Sequence, residues 1–277
     1  LHLVFRLTLI VIHRFYQKNN IKKNNKIVKN TIKKAFYLAR TGRPGPVIID
    51  VAKDVTQALH KFCYPQEQPF IRSYQPVIHA HKGQIKKAVQ LFALAKRPVV
   101  FFGGGIVLAN AEEELRHWIQ LTGVPCVSSL MGLGAYPASH PQFLGMVGMH
   151  GTYEANMAMQ QADMVLALGV RFDDRVISVP EKYLATAKKI IHIDIDPSSI
   201  AKRVPVNVPI VGDIKLALQA MTYQWEEKRL ILDHKGLQCW WECIEQWRSF
   251  KSLNYSDDEQ IIKPQYVIKS LAQLTQN

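Results

Sequence analysis

Long apolar runs are missing from this 277-residue chain. No stretch of about 18 uncharged apolar residues occurs, so no segment is suited to cross a bilayer as a helix. The nearest candidate, residues 7–13, is short and flanked by Arg6 and Arg14, and Lys and Asn follow it where a secretory leader would carry a small-residue cleavage site. Cysteine is also scarce. Cys63, Cys126, Cys239 and Cys243 form no C-x-x-C pair and no spacing with histidine that suits zinc, which argues against a disulfide framework or a metal centre and for a reduced, cytoplasmic protein. Acidic residues are absent from the first 40 positions, which hold ten of the 35 Lys and Arg, so the other 237 residues carry only +3 of the formal +13. A uniformly basic face is therefore excluded; the head alone could be a nucleic-acid-binding arm, but its Lys, Asn and Ile composition is the plainer explanation, so neither membrane nor nucleic acid is expected as a partner. Neither G-x-S-x-G nor H-E-x-x-H occurs, which removes two common catalytic arrangements.

What is present is a 48% hydrophobic composition, ample for a sizeable core. Residues 1–30, crowded with Lys, Asn and Ile, show neither a helical nor a strand period and read as an atypical basic head that is not native to the fold. Order begins with a helix over 31–40, carrying Ile32, Ala35, Phe36 and Ala39 at helical spacing and closed by Gly42. The stiff turn Gly42-Arg43-Pro44-Gly45-Pro46 leads into a buried strand over 47–51, so 31–57 reads as the end of one domain. Residues 58–79, with Pro65, Pro69 and Pro76, read as a linker. From 80 to 225 the pattern is regular: helix 82–95, strand 98–102, a glycine turn, helix 110–122, strand 125–129, helix 148–162, strands 164–168, 188–195 and 210–212, and helix 214–223. Strands alternating with helices at this spacing predict an α/β, doubly wound parallel sheet covered on both faces. Residues 226–262 form a connecting segment in which Trp240, Cys243 and Trp247 are spaced to pack a helix onto the core. A last helix over 266–274, within residues 263–277, reads as the truncated start of another domain.

In such sheets ligands gather at the carboxyl ends of the strands. Gly103, Gly104 and Gly105 follow the first of these strands, where bare amides can approach a diphosphate. They are out of register with G-x-G-x-x-G, and the next strand ends in Ser128, Ser129 and Leu130 with no carboxylate for a ribose, which disfavours NAD. Two later strand ends bring Gly169-Val170-Arg171-Phe172-Asp173-Asp174-Arg175 and Asp194-Ile195-Asp196-Pro197 to the same edge. Arg171 and Arg175 suit phosphate or carboxylate, and Asp194 suits ribose or ribityl hydroxyls; the alternative is a solvated salt-bridge loop.

Five blocks, in order, carry a resemblance: Thr41-Gly42-Arg43-Pro44-Gly45-Pro46-Val47, Ser129-Leu130-Met131-Gly132-Leu133-Gly134, Gly145-Met146-Val147-Gly148-Met149-His150-Gly151-Thr152-Tyr153-Glu154-Ala155-Asn156, the Gly169 to Arg175 block, and His192-Ile193-Asp194-Ile195-Asp196. Over about residues 31–277 the chain resembles acetolactate synthase, a thiamine-diphosphate enzyme that joins pyruvate to pyruvate or 2-oxobutanoate at the head of valine, leucine and isoleucine biosynthesis. The resemblance implies that residues 80–225 are the family's central FAD-binding domain, flanked by incomplete pieces of its neighbours. It places FAD on Arg43, Gly103, Gly104, Gly105, His150, Gly151, Gly169, Val170, Arg171, Asp173, Asp194, Ile195 and Asp213. It sets Arg175 and Met149 beside the acceptor 2-keto acid, and Lys53 and Asp174 at the channel into the active site. A homo-oligomer with a regulatory small subunit is implied for the intact enzyme.

The same resemblance implies two absences. A glutamate that activates thiamine diphosphate is expected before residue 1, and a G-D-G…N block that holds Mg²⁺ and the diphosphate is expected after residue 277, so the chain is expected to be a truncated piece, inactive alone. Leu1 in place of an initiating Met agrees with an incomplete record. Two rivals are the central domain of another thiamine-diphosphate 2-keto acid enzyme and a non-catalytic nucleotide-binding module. The Gly169 to Arg175 block disfavours the first; the second includes a nucleic-acid binder using the basic head, for which removal of residues 1–30 would abolish DNA affinity while flavin affinity persists.

Overall fold

A computed structural model of the chain describes residues 9–11, 21–51, 53–57, 59, 63–186, 188–258 and 260–275. A short strand, β1 (Leu9–Val11), precedes helix α1 (Ile21–Arg40) and lies parallel to β2 (Val47–Ile49), with Leu9 opposite Val47. Helix α1 begins ten residues before the expected start. Its buried stripe is Thr31, Ala35 and Leu38, which continues back to half-buried Val28, and lysine extends a helix readily once a turn exists. Ile32 and Phe36, expected to face a core, are exposed instead, and β2 is not a buried strand, since Ile48 is 57% exposed. The remainder of the expected head, residues 1–8 and 12–20, lies outside the described residues.

Helix α2 (Lys53–Gln57) leads into the linker, which folds back on α1. Lys33 Nζ donates to the carbonyls of Pro65 and Glu67, each at 2.7 Å, and Tyr74 meets Tyr37 edge-on at 6.0 Å. Helix α3 (Lys82–Phe92) then opens the central unit, burying Ile85, Ala88, Val89 and Phe92 on one stripe. It is followed by β3 (Pro98–Phe102), α4 (Gly104–Leu108), α5 (Glu112–Thr122), β4 (Cys126–Ser128), β5 (Phe143–Met146), α6 (Tyr153–Gln161), β6 (Met164–Leu168), α7 (Pro180–Leu184), β7 (Lys189–Asp194), β8 (Val208–Val211) and α8 (Ile214–Glu227). Helices α9 (His234–Arg248) and α10 (Pro264–Leu274) complete the described chain.

Strands β3 to β8 form one six-stranded sheet, parallel throughout, in the order β5-β4-β3-β6-β7-β8. The chain winds from β3 to one edge, returns to the centre at β6 and winds to the other, as a doubly wound α/β domain requires. Side chains alternate between faces. Val100, Phe102, Leu166, Leu168, Ile191 and Ile193 join the core with α3, α5 and α8, while Val99, Phe101, Val165, Ala167 and Ile190 join the core with α6 and α9. Covering both faces demands continuous apolar runs in the strands, and each fully buried side chain contributes about 1.5–3 kcal/mol.

Three further details depart from the expectations. Strand β5 was not anticipated, and the helix expected from residue 148 begins at Tyr153, where the Thr152 hydroxyl accepts from the Ala155 amide at 3.3 Å. Helix α5 starts at Glu112 because Asn110 takes a left-handed φ of 47°; Glu112, Glu113 and Glu114 then occupy the first turn, at the positive end of the helix dipole. On α9 the buried residues are Trp240 and Ile244 rather than Cys243, which is exposed, and Trp247 packs edge-on against Trp240 at 5.5 Å. Among the described residues no helix is long and apolar enough to cross a membrane.

Candidate functional site

The winding reverses between β3 and β6, so the connections leaving those strands diverge to opposite faces and open a crevice at their carboxyl ends. A cavity of about 990 Å³ lies there. All six strands reach it. Gly104 and Gly105 come from the end of β3, Ser129 and Leu130 from β4, Met146 and Val147 from β5, residues 169–173 from β6, Asp194 and Ile195 from β7, and Asp213 and Ile214 from β8. Arg40, Thr41, Gly42, Arg43 and Pro44, in the turn before the linker, add a further wall.

The floor is bare backbone. Gly105 donates its amide to the Gly169 carbonyl at 3.3 Å, and a Cβ at Gly105 would stand 2.6 Å from the Gly169 Cα, closer than two chains carrying side chains can approach. Gly169 itself takes φ +59°, the left-handed region that lets β6 turn sharply under the cavity. Gly103 sits one layer lower: its amide donates to the Leu168 carbonyl at 3.1 Å, and a side chain there would strike the Gly169 carbonyl, Val170 and Ser129. Because α4 is only five residues long, its dipole adds little, and since the Gly103 and Gly105 amides are already engaged, what the glycines offer the cavity is space for a close approach to backbone.

The charges above this floor are of both signs. Asp194 is buried, and its carboxyl accepts the Asp196 amide at 2.8 Å. Burial pushes Asp194 up to about 6, helped by the nearby Asp196 charge and opposed by the Asp196 amide, Arg43 and Arg171. Burial also raises Asp196, but hydrogen bonds from Ser198 and Ser199, with Arg43, outweigh it and hold that carboxyl below its ordinary value. Arg171 Nη2 lies 3.6 Å from Asp173 Oδ2, and Arg43 Nη1 lies 3.7 Å from Asp196 Oδ2. His192 on β7 is fully buried. Its Nε2 donates to the Val170 carbonyl at 2.8 Å, and burial lowers it to about 4, so it is a neutral strut beneath the β6 loop. The Asp213 carboxylate accepts the Leu216 amide at 3.1 Å, capping α8.

The structure brings together most of the residues singled out in the sequence. Arg43, Gly104, Gly105, Met149, His150, Gly169, Val170, Arg171, Asp173, Arg175, Asp194, Ile195 and Asp213 all line the one cavity, whereas Gly103, Gly151, Lys53 and Asp174 do not. Lys53 and Asp174 are exposed. The cavity also takes in residues not singled out as contacts: Ser129, Leu130, Phe101, Phe172, Leu108 and Ile78. Ser129 and Leu130 were detectable as another strand end at the carboxyl edge. Ile78 lies in the linker and carries no local signal.

Residues 85–221 match the model of the thiamine pyrophosphate enzyme central domain, which sets the class of the central unit. At finer grain, the chain is 48% identical to the acetolactate synthase large subunit of Haemophilus influenzae over 92% of its own length and 44% of that protein's. It is 46% identical to the acetolactate synthase isozyme 3 large subunit of Escherichia coli over 91% and 44%, and 40% identical to an acetolactate synthase of Mycobacterium leprae over 89% and 39%. By sequence the chain belongs to the acetolactate synthase large-subunit family, and it spans less than half the length of these relatives.

Proposed function

We propose that the cavity binds flavin adenine dinucleotide within the central region of an acetolactate synthase. The observation that carries this reading is the meeting, at the switch point of the sheet, of a side-chain-free floor, four arginines and a buried carboxyl. The volume stands at the upper end of the range for small-molecule pockets and suits an extended dinucleotide. Gly104 and Gly105 would face the diphosphate, with Arg43 and Arg171 supplying charge. Asp194 and Asp173 would accept hydroxyls, and Phe101, Phe172 and Val170 offer apolar surface to a planar ring. When bound, the flavin brings a redox-competent ring that the condensation itself does not call on.

For the whole protein we assign condensation of pyruvate with pyruvate or 2-oxobutanoate, with thiamine diphosphate and Mg²⁺, a homo-oligomer and a regulatory small subunit, in the cytoplasm. Arg175 and Met149, both exposed at the cavity wall, are assigned to the acceptor keto acid; Lys53 and Asp174, away from it, to the approach channel. The 277 residues contain no Gly-Asp-Gly block, so this chain is assigned no acetolactate synthesis by itself. The test is the visible spectrum of the purified chain after incubation with FAD and gel filtration, followed by a pyruvate assay with acid treatment. Retained flavin absorbance without acetoin is expected. A folded, colourless protein would overturn the flavin assignment, and acetoin from clean protein would overturn the assignment of inactivity.

A further inference from the structure

Arg43 belongs to the turn before the linker, yet it lines a cavity built by the central sheet, and something must hold it there. Asp196, two residues past Asp194, does not line the cavity but reaches Arg43 at 3.7 Å. Its carboxylate is itself held. Oδ1 accepts the Ser198 amide at 2.9 Å and the Ser198 hydroxyl, and Oδ2 accepts the Ser199 hydroxyl at 3.2 Å. The backbone of Asp196 is fixed as well, because its amide donates to Asp194 Oδ1 at 2.8 Å. At the other end of the turn, Tyr74 donates to the Thr41 carbonyl at 2.6 Å, and the Thr41 hydroxyl donates to the Tyr37 carbonyl at 2.6 Å.

We infer that Asp196 is a positioning residue, which pins one edge of the Arg43 guanidinium so that the other edges face a diphosphate-bearing ligand in the cavity. At 3.7 Å the contact is an ion pair rather than a hydrogen bond, so it holds the guanidinium in place by charge and leaves the five N–H donors of the planar fork for a second anion. The division of labour between the two neighbouring acids follows. Asp196 keeps its charge at neutral pH because serine donors and Arg43 stabilise it, while Asp194 stays toward the cavity as a hydroxyl acceptor. The clamp also joins the segment before the linker to the central sheet, so cofactor and turn stabilise one another. This inference rests on the flavin reading for its ligand but not for the contact itself.

The experiment is a double-mutant cycle on the full chain. Asp196→Asn keeps an acceptor for Ser198 and removes the charge, and Arg43→Gln leaves Asp196 and its serine bonds in place. FAD is titrated by flavin fluorescence, with riboflavin, which lacks the diphosphate, as the control probe. Each single substitution is expected to weaken FAD binding by about five- to tenfold, the double substitution no more than Arg43→Gln alone, and riboflavin binding is expected to be the same in all forms. Loss in Asp196→Asn that persists in the Arg43→Gln background, equal loss of riboflavin, or wild-type FAD affinity in Asp196→Asn would overturn the clamp. Hydrogen exchange of the amides between residues 41 and 47, measured without flavin, tests the contact separately. Faster exchange in both single variants and no further gain in the double supports it, and unchanged exchange in Asp196→Asn sinks it. Should no form bind FAD while exchange follows the expected pattern, the flavin reading fails and the clamp stands.

Discussion

Asp194 shows how a buried carboxyl at a cavity costs a fold stability. Its carboxyl is raised to about 6 from an ordinary 3.8, chiefly by burial, so the folded chain holds this proton more tightly than the unfolded chain does. The favourable contribution is complete below the unfolded value and disappears as pH rises through about 6, leaving a buried charge that costs on the order of 2–3 kcal/mol at neutral pH. Asparagine carries no charge at any pH and keeps an acceptor for the Asp196 amide. Asp194→Asn is therefore expected to be more stable than the wild type by about 1–3 kcal/mol at pH 7.5 and equal to it near pH 3, in urea unfolding at both pH values. A less stable variant at pH 7.5 would mean that attraction to Arg43 and Arg171 outweighs desolvation. The position of Asp194 was legible in the sequence, since a strand ending in an acid points to the carboxyl edge. Its neighbour's role was not, because Asp196 acts on Arg43 from 153 positions away and no local pattern encodes that pairing.

Among the elements, those with buried runs were the ones the sequence located well: β3 and β6 are five buried apolar residues each, and β7 buries all of its six residues except Lys189. Strand β5 escaped notice because Phe143-Leu144-Gly145-Met146 is short, holds a glycine at φ +103° and pairs irregularly with β4. Helix α9 was legible as a packed helix but not in its detail, since the spacing of Trp240, Cys243 and Trp247 fits more than one face. What settles the face is a tertiary bond. The Trp240 indole donates to the Pro98 carbonyl at 3.0 Å, hooking the connecting helix to the start of β3, where proline has already removed one donor from the strand. Trp240→Phe, which keeps most of the buried area but leaves that carbonyl without the indole, is expected to lower stability by about 1–3 kcal/mol. Trp240→Ala, which also opens a cavity, is expected to lower it by about 3–5 kcal/mol. Both are read by denaturant unfolding; a Trp240→Phe variant as stable as the wild type would show that packing alone, and not the hydrogen bond, ties α9 to the sheet.

Across the whole molecule the burial is uneven. The central sheet is covered on both faces, yet none of the residues of α10 is buried, and Val267, Ile268, Leu271 and Leu274 form an apolar stripe along it. Ile261 and Ile262 extend the exposure just before the helix. Monomeric proteins rarely leave contiguous apolar patches larger than a few hundred Å² without a partner, so this stripe is the surface on which molecules of the chain are expected to meet. Opposing this is the formal charge of +13, which makes copies repel one another at low ionic strength. The two terms respond oppositely to salt: screening shortens the reach of the repulsion to about 8 Å near physiological ionic strength, while apolar contact is not weakened. Self-association measured by sedimentation or light scattering is therefore expected to grow with sodium chloride. The double substitution Ile268→Lys with Leu271→Lys is expected to abolish that growth and leave the melting of the central domain unchanged. Association that instead falls with salt would mark the contacts as ionic, pointing to the basic first 40 residues rather than to α10.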